Sequence, residues 1–173
     1  MKRLPKHIGV IPDGNRRWAQ SKGFEKQDGY KNGITPGFEL YKHCLELGIP
    51  ELTFYGFTQD NNKRPAIQRM AFVKACIDSV LQLASCDANL LVVGNSESPM
   101  FPQELLPFCK ERVKFGAGKI NVNFLVNYGW AWDLASAPQM LKREDIYKSI
   151  ASGGISRIDL VIRWGGRCRL SGF

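Results

Sequence analysis

The sequence predicts an α/β fold in which helices flank a mostly parallel central sheet. Strand-like and helix-like segments alternate along all 173 residues, as they do in parallel sheets with helical crossovers. Hydrophobic residues make up 44% of the chain and charged residues 23%, which is typical of globular domains. Because the chain has no repeat, no low-complexity tract and no visible boundary, we expect 1–173 to form a single domain.

Five short apolar segments are predicted to be strands. They are His7–Ile11, Glu51–Phe57, Leu90–Val93, Lys119–Val126 and Ile158–Ile162. The second is rich in Phe, Tyr and Thr, residues that favour strands. The fourth alternates apolar and polar side chains, which indicates a strand with two unlike faces.

Hydrophobic spacing and end signals predict four helices. They are Phe38–Leu47, Pro65–Ser85, Pro102–Phe115 and Lys142–Ile150. Gly48 is a stop signal for the first helix, and Pro65 suits the start of the second. A further helix follows Trp130, and the run 135–139 is expected to break it.

The overall charge narrows the class of partner. The chain carries 24 Lys and Arg against 16 Asp and Glu, a formal charge of +8. Such an excess suits an anionic partner, whether nucleic acid, a membrane surface or a phosphorylated metabolite. No apolar run approaches the roughly 18 residues of a membrane span, and the first residues lack an apolar signal core. We therefore expect a cytoplasmic protein.

The five cysteines do not predict a metal centre. None forms a C-x-x-C pair, and their number is odd. Four of them fall in apolar helical patterns, where a cysteine usually acts as a small buried hydrophobe. A structural zinc ion is therefore not expected.

Polar clusters follow three of the predicted strands. They are D-G-N-R-R at 13–17, T-Q-D-N-N-K-R at 58–64 and R-W-G-G-R-C-R-L-S at 163–171. Since the carboxyl ends of parallel strands meet at one edge of a sheet, the three clusters should converge there. Seven cations would then lie together: Arg16, Arg17, Lys63, Arg64, Arg163, Arg167 and Arg169.

This edge is predicted to bind phosphate groups. Asp13 is suited to hold a divalent cation, and the amides of 14–17, if they open a helix, would face an anion. Each cluster also has a simpler interpretation. Asp13-Gly14 suits a helix cap, Lys63-Arg64 a solvated helix start, and Gly165-Gly166 a plain turn. The coincidence of all three clusters at one edge favours a diphosphate site.

Four ordered motifs resemble those of the cis-prenyltransferases, the family of undecaprenyl diphosphate synthase. They are H-I-G-V-I-P-D-G-N-R-R-W-A from His7, L-T-F-Y-G-F-T-Q-D-N-N-K-R-P from Leu52, V-N-Y-G from Val126 and D-L-V-I-R-W-G-G-R-C-R-L-S-G-F from Asp159. The family patterns are H-x-x-x-I-M-D-G-N-G-R-W-A, L-T-x-Y-A-F-S-x-E-N-W-x-R-P and D-L-x-I-R-T-G-G-E-x-R-L-S-N-F. The resemblance covers 7–173, nearly the whole chain.

The resemblance implies a Mg²⁺-dependent prenyltransferase with an apolar tunnel between sheet and helices. An allylic prenyl diphosphate would place its head on 13–17 and its tail in the tunnel, with 65–85 as a lining helix. Isopentenyl diphosphate would be held by Arg163, Arg169 and Ser171, and Asp13 would carry the magnesium ion. The implied catalytic residues are Asp13, Asn61 and Thr58. The implied substrate-binding residues are Gly14, Asn15, Arg16, Arg17, Trp18, Lys26, Tyr30, Asn62, Arg64, Arg163, Arg169 and Ser171.

Six motif positions depart from the family pattern: Arg16 for glycine, Lys26 for arginine, Tyr30 for histidine, Asn62 for tryptophan, Trp164 for threonine and Arg167 for glutamate. Arg16 puts a side chain where glycine lets phosphate approach the backbone. Lys26 gives up the two-pronged geometry of arginine, and Tyr30 removes a group that titrates near neutral pH. These changes alter the shape and charge of the expected pocket.

The resemblance also implies a homodimer and a peripheral membrane contact for product release, with no nucleic acid as partner. The family continues past the S-x-F motif with a strand, a dimer-forming region and an acidic residue that helps to hold magnesium. That part of the family pattern is not found in 1–173. Dimer formation and metal binding are expected to depend on it.

Other functions remain open on the sequence alone. The same diphosphate site would serve irregular (head-to-middle) coupling of prenyl diphosphates or cyclisation, since an aromatic such as Trp164 can stabilise a carbocation. A non-catalytic partner subunit would keep the fold, although the retained Asp13 and arginines argue against it. Nucleic-acid binding fits the charge, but here the cations accompany glycines and an acid rather than interleaved aromatics.

Overall fold

The computed structural model, which describes residues 3–138 and 142–171, contains a central sheet of six strands. The strands are β1 (His7–Ile11), β2 (Glu51–Thr58), β3 (Ala88–Val93), β4 (Val113–Lys114), β5 (Ile120–Tyr128) and β6 (Leu160–Arg163). Their order across the sheet is β4-β3-β5-β2-β1-β6. All neighbouring strands run parallel except β3 and β4, so the predicted mostly parallel sheet is confirmed.

Helices cover both faces of this sheet. They are α1 (Asn15–Ser21), α2 (Asp28–Asn32), α3 (Ile34–Glu46), α4 (Ala66–Leu83), α5 (Trp130–Ala135) and α6 (Arg143–Ser149). Single 3₁₀ segments occupy Gln59–Lys63, Gln103–Phe108 and Ala151–Gly154. Helix α5 ends at Ala135, as predicted; the rest of the expected break reaches Gln139, which lies outside the described residues.

The two faces of the sheet bury cores of different size. Side chains such as Val10, Leu52 and Val122, all fully buried, form the larger core with apolar residues of α3 and α4. Tyr55 and Leu125 point to the opposite face and form a smaller core with Trp132. This alternation follows from the two-residue period of a strand.

The helix predicted over Pro102–Phe115 is wrong. Residues Gln103–Phe108 form a 3₁₀ segment, and Val113–Lys114 then pairs antiparallel with β3. Pro107 lies within the segment, and a proline cannot donate the hydrogen bond that continues an α-helix. The apolar residues Leu105 and Phe108 are buried nonetheless, so the hydrophobic spacing identified the buried positions but not the backbone conformation.

Helix α2 and strand β4 were not predicted, and neither were the 3₁₀ segments Gln59–Lys63 and Ala151–Gly154. Helix α2 has only five residues and contains Gly29, a weak helix former. Gly29 is required there because a Cβ at this position would collide with the carbonyl oxygen of Asn15. Strand β4 has two residues, too few to show a pattern.

The cysteines behave as expected for small hydrophobes in two cases. Cys44 and Cys76 are buried, and burial raises the pKa of the Cys44 thiol to about 11. Cys86 and Cys109 are half-buried, and Cys168 is exposed. All five thiols are free.

A buried polar cluster ties the amino-terminal ends of the strands together. The fully buried ring of His7 donates from Nδ1 to the carbonyl oxygen of Ser156 (2.9 Å), so Nε2 accepts from the Thr53 hydroxyl (2.7 Å). Ser156 Oγ in turn donates to Glu51 Oε2 at 2.5 Å. These contacts suit the neutral ring, with the proton on Nδ1. Burial lowers the pKa of His7, opposed by the negative charge of Glu51 and by the Ser156 carbonyl.

His7 is expected to make stability fall as the pH drops below about 6.5, the ordinary pKa of histidine. The unfolded chain takes up a proton below the ordinary histidine pKa of 6.5, whereas folded His7 resists it until a lower pH. The free energy of unfolding should therefore decrease as pH falls, by at most about 1.4 kcal/mol per pH unit. Denaturant unfolding at pH 7.5, 6.5 and 5.5 measures this slope.

The variant His7→Gln should lose stability at pH 7.5 and show a flatter slope in this range. Changing the exposed His43, in His43→Gln, provides the matched control and should keep the slope of the parent. If His7→Gln and the parent have equal slopes, His7 does not resist protonation.

No helix within 3–138 and 142–171 is both long and apolar enough to cross a membrane.

Candidate active site

Two cavities adjoin at the carboxyl ends of β1, β2 and β6. The first, the polar cavity, is open to solvent and contains about 1310 Å³ of empty space, part of which is open solvent. The second, the apolar cavity, lies between the sheet and helices α3 and α4 and contains about 620 Å³ of empty space, part of which is open solvent. Both are lined by Pro12, Asn15, Tyr30, Gly56 and Phe72. A ligand with a charged head and an apolar tail can therefore occupy both at once.

The polar cavity is strongly cationic. Among the described residues that line it, Asp13 is the single acid, against seven cations: Arg16, Arg17, Lys26, Arg64, Arg163, Arg167 and Arg169. Lys63, which was expected here, lies outside and forms an exposed ion pair with Asp60 (2.9 Å). The convergence of three strand ends at one edge is confirmed, with Lys26 in place of Lys63.

Asp13 faces this cavity from the end of β1. Its Oδ2 lies 2.7 Å from Arg163 Nη2 and 3.7 Å from Arg17 Nη2, and its Oδ1 accepts the Gly14 N–H at 2.7 Å. Partial burial by itself would raise the pKa of Asp13. The hydrogen bonds from Arg163 and Gly14 and the nearby positive charges outweigh this effect, so the pKa lies below its ordinary value. Asp13 is therefore a carboxylate at neutral pH.

The loops after β1 and β6 touch through glycines. Gly14 has φ 94° and Gly165 has φ 78°, both in the left-handed region that favours glycine. A Cβ on Gly14 would lie 3.1 Å from Gly165 Cα. Since the Gly14 N–H is engaged by Asp13, the amides of Asn15, Arg16 and Arg17 are those that open α1 without an intrahelical acceptor.

Arg163 connects the two loops. Besides Asp13, its guanidinium donates from Nη1 to Ser171 Oγ (3.1 Å) and to the carbonyl oxygen of Arg169. The side chain of Arg163 is only 9% exposed, whereas that of Arg169 is exposed. Arg163 thus holds the loop 164–171 against Asp13, and the Arg169 guanidinium remains available to a ligand.

The loop after β2 is fixed by reciprocal capping. Thr58 accepts the backbone N–H of Asn61 through its side chain, and Asn61 Oδ1 accepts the Thr58 N–H at 3.0 Å. Both residues line the polar cavity. This arrangement explains why a threonine and an asparagine stand three residues apart, and it orients Asn61 at the cavity wall.

Tyr30, Phe72 and Arg64 lie where the two cavities meet. The rings of Tyr30 and Phe72 stack with centroids 4.7 Å apart, and Arg64 Nη1 donates to the Tyr30 hydroxyl at 2.8 Å. The guanidinium lies 5.1 Å from the centre of the Phe72 ring. Phe72 was not among the predicted site residues. Its place nearly two turns after the start of α4, on the face of that helix that carries Cys76, could have indicated it.

Several predicted binding residues occupy less direct positions. Trp18 is 41% exposed and packs against Phe24, outside the lining of both cavities. Asn62 donates to Asn127 Oδ1 at 3.3 Å and does not line either cavity. Arg16 lines the polar cavity but its guanidinium turns to Gln68 on α4 (3.3 Å). Lys26 is exposed at the rim.

The apolar cavity runs along one face of α4. Phe72, Ala75, Cys76, Ser79, Gln82 and Leu83 line it from that helix, and Gly37, Phe38, Phe54, Phe124 and Trp164 line it from the other side. The prediction that 65–85 lines an apolar cavity agrees with this placement. Trp164 directly follows Arg163, the last residue of β6; Arg163 lines the polar cavity and Trp164 lines the apolar cavity.

The residues present fit a magnesium ion that is shared with a ligand. Mg²⁺ prefers oxygen ligands and is often held by one or two carboxylates together with substrate phosphates. Asp13 supplies one ionised carboxylate at the cavity wall. Within the described ranges no group of three or more His, Cys, Asp or Glu residues is suited to hold a metal ion by itself. The donor set therefore suits a metal that binds with a diphosphate.

Known proteins are similar to this sequence over nearly its whole length. Residues 11–173 match the family model described as "Putative undecaprenyl diphosphate synthase". An isoprenyl transferase of Nitrosomonas europaea is 30% identical over 187 residues, covering 98% of this chain and 70% of that protein. A (2E,6E)-farnesyl-diphosphate specific ditrans,polycis-undecaprenyl-diphosphate synthase of Vibrio cholerae is 30% identical over 190 residues, covering 98% of this chain and 75% of the relative.

A solved structure shares the fold. Lavandulyl diphosphate synthase from Lavandula x intermedia, in complex with dimethylallyl diphosphate, aligns with a TM-score of 0.80 and 22% identity over 98% of this chain and 81% of that chain. The family model spans all three strand-end loops that form the polar cavity. From these matches, the protein belongs to the cis-prenyltransferase family of prenyl transferases, that of the undecaprenyl diphosphate synthases.

Proposed function

We propose that this protein condenses isopentenyl diphosphate with an allylic prenyl diphosphate, by Mg²⁺-dependent cis chain elongation to a polyprenyl diphosphate. The observation that carries the proposal is the pair of adjoining cavities, one with seven cations and a single acid and one apolar. A prenyl diphosphate has these two chemical parts. Membership of the prenyl transferase family supports the same reaction class.

The allylic diphosphate binds with its head at the start of α1. The amides of Asn15 and Arg16 and the guanidinium of Arg17 donate to its oxygens, and Arg64 contacts it from the opposite wall. Its tail passes Tyr30 and Phe72 into the apolar cavity. Burial of the tail contributes roughly 0.8 kcal/mol per CH₂ group.

Isopentenyl diphosphate binds beside it, on the loop after β6. Arg169 and Ser171 donate to its diphosphate, and Arg163 keeps both residues close to Asp13. The isopentenyl double bond attacks the allylic carbon as the allylic diphosphate departs, and a proton is then lost. Asn61 and Thr58 lie at the wall beside these groups. Alignment of two bound substrates supplies much of the acceleration.

Asp13 would hold the magnesium ion together with the allylic diphosphate. Bound there, a metal ion stabilises the negative charge that develops on the leaving diphosphate. Asp13 must stay ionised for this role, and its contacts with Arg163 and Gly14 keep its pKa low. The proposal also includes a cytoplasmic homodimer with peripheral membrane contact for product release.

Incubation with magnesium, isopentenyl diphosphate and C5, C10, C15 or C20 allylic diphosphates tests the proposal. The products are dephosphorylated and identified by mass spectrometry. We expect a ladder spaced by C5 units that requires both magnesium and the allylic partner. A single irregular or cyclic product would instead assign the site to head-to-middle coupling or cyclisation.

If this protein binds prenyl diphosphates but forms no product, it acts as a non-catalytic partner subunit. A salt-sensitive complex with random-sequence nucleic acid, together with no binding of prenyl diphosphates, would contradict the proposed substrate class.

A further inference from the structure

We infer that Asn127 is a positioning residue, which holds the loop after β2 so that Asn61 faces the polar cavity. The inference rests on the proposed function, because that function places Asn61 beside the reacting diphosphates. Asn127 belongs to the V-N-Y-G motif at 126–129. Among the described residues that line the two cavities, none comes from this motif, so it can affect the reaction only through other residues.

Asn127 occupies an irregular point of β5. Phe57 on β2 pairs with Val126, and the next residue of β2, Thr58, pairs with Tyr128. Asn127 is therefore an extra residue between two successive pairs, which is a β-bulge. Its φ of 50° lies in the left-handed region, where asparagine is more frequent than most other residues. A bulge next to an active site commonly turns a side chain in a new direction.

The side chain of Asn127 connects the ends of three strands. Its Nδ2 donates to the carbonyl oxygen of Asn95, just after β3, at 3.1 Å, and its Oδ1 accepts from Asn62 Nδ2, in the loop after β2, at 3.3 Å. A carbonyl oxygen can only accept, so Asn95 fixes the orientation of the Asn127 amide and leaves its oxygen for Asn62. Asn127 is 1% exposed, so these hydrogen bonds form in a largely dry environment. The three residues Asn62, Asn127 and Asn95 are called the asparagine bridge below.

The asparagine bridge holds the residue next to Asn61. Asn61 itself accepts the Thr58 N–H through Oδ1 (3.0 Å) and the Arg64 N–H through its carbonyl oxygen (3.1 Å), and both contacts lie within the loop. Asn62 connects the loop to β5, while Arg69 on α4 donates to the Asn62 carbonyl oxygen at 3.3 Å. The loop is thus held between β5 and α4, with Asn61 at the wall of the polar cavity.

The asparagine bridge is particular to this chain. Asn62 is one of the six positions that depart from the family pattern, which has tryptophan there. A contact between two side-chain amides is therefore not implied by that pattern. A loop that is tethered in the free protein presents Asn61 before substrate binds, which removes the cost of ordering the loop at that moment.

Two variants break the asparagine bridge from opposite sides. Asn127→Gly removes the side chain and tolerates the left-handed backbone. Asn62→Ala removes the donor in the loop and leaves Asn127 intact. The control is Asn121→Ala, at the other end of β5, where Asn121 Oδ1 accepts from Asn89 Nδ2 at 3.1 Å in a similar amide contact. Asn89 and Asn121 lie outside the lining of both cavities.

Amide hydrogen exchange of the free protein tests the anchoring without any reaction. The N–H groups of Thr58, Asn61 and Arg64 are hydrogen-bonded within the loop, so their protection reports whether the loop keeps its form. We expect both bridge variants to lose protection at these amides by roughly fivefold, the effect of one hydrogen bond. Asn121→Ala loses a similar hydrogen bond elsewhere and should keep the protection of the parent in the loop. Unchanged loop protection in Asn127→Gly would overturn the inference.

Kinetics separate positioning from binding. We expect kcat to fall by about 10- to 100-fold in both bridge variants, because a misplacement of about 1 Å has an effect of this size. The KM for isopentenyl diphosphate, which is held by the loop after β6, should stay that of the parent, and Asn121→Ala should retain both values.

The double variant Asn62→Ala with Asn127→Gly should lose no more kcat than the more impaired single variant, since both changes remove the same hydrogen bond. Additive losses, or bridge variants with the kcat of an active parent, would overturn the inference.

The two measurements distinguish failure of the inference from failure of the proposed reaction. If the parent forms no product but the bridge variants lose loop protection as expected, the anchoring by Asn127 stands and the proposed reaction fails. If the parent elongates prenyl chains and loop protection is the same in all variants, the reaction stands and the inference fails.

Discussion

Asp13→Ala is expected to reduce kcat by roughly 1000-fold or more while binding of a prenyl diphosphate remains measurable. Loss of charge stabilisation on the leaving diphosphate costs several kcal/mol, and roughly 4 kcal/mol corresponds to about 1000-fold in rate. Binding survives because the cations and amides that contact the diphosphate remain in place. Single-turnover kinetics and calorimetry with a prenyl thiolodiphosphate measure the two quantities separately.

Two further variants define the cause of that loss. Asp13→Asn keeps an oxygen for the Gly14 N–H but removes the charge, so it should be nearly as inactive as Asp13→Ala. Asp60→Asn changes an exposed carboxylate whose partner is Lys63, and it should retain the kcat of the parent. Full activity of Asp13→Asn would show that the charge of Asp13 has no part in the reaction.

Arg163→Ala is expected to raise the KM for isopentenyl diphosphate and to lower kcat, whereas Arg169→Ala is expected to raise that KM alone. The Arg163 side chain is 9% exposed, and its partner Asp13 is 30% exposed. Removing one partner of such a pair costs up to about 3–5 kcal/mol when both are buried, and roughly half of that here because Asp13 is in contact with water. The loop 164–171 also loses its anchor, so the KM for isopentenyl diphosphate should rise and kcat should fall.

The pH dependence of activity provides a second measurement on Arg163→Ala. Arg163 lowers the pKa of Asp13, so its removal should raise that pKa. Since Asp13 acts when ionised, the acidic limb of the kcat profile should move to higher pH. Arg169→Ala removes only an exposed guanidinium and should raise the KM for isopentenyl diphosphate without moving that limb. Equal pH profiles and equal KM changes in the two variants would contradict the assignment of Arg163.

The fold was largely predictable because its elements have clear periods and clear ends. The alternation around Ile120–Tyr128 reflects a strand within the sheet, and the helical spacing around Ala66–Leu83 reflects a helix that packs on that sheet. The segment 102–115 was not predictable in the same way. Leu105 and Phe108 are buried at a spacing that a 3₁₀ segment and a helix both allow, and only the tertiary contact of Val113–Lys114 with β3 decides the conformation.

Those parts of the site that follow from the position of strand ends were predictable. The direction in which individual side chains point was not. Because parallel strands end at one edge, the sequence places Asp13, Arg64 and Arg163 near one another. It does not show that Lys63 turns away to Asp60 while Lys26 reaches the rim, since both are exposed cations. Partners such as Tyr30 for Arg64 join residues 34 positions apart, which only the folded chain determines.

A crystal structure with magnesium and farnesyl thiolodiphosphate, a non-reacting C15 ligand, tests the central claim most directly. The account predicts that the diphosphate contacts the amides at the start of α1 with the metal between it and Asp13, and that the tail passes Tyr30 and Phe72 towards Cys76. A tail outside the apolar cavity, or a diphosphate remote from Asp13, would contradict the account.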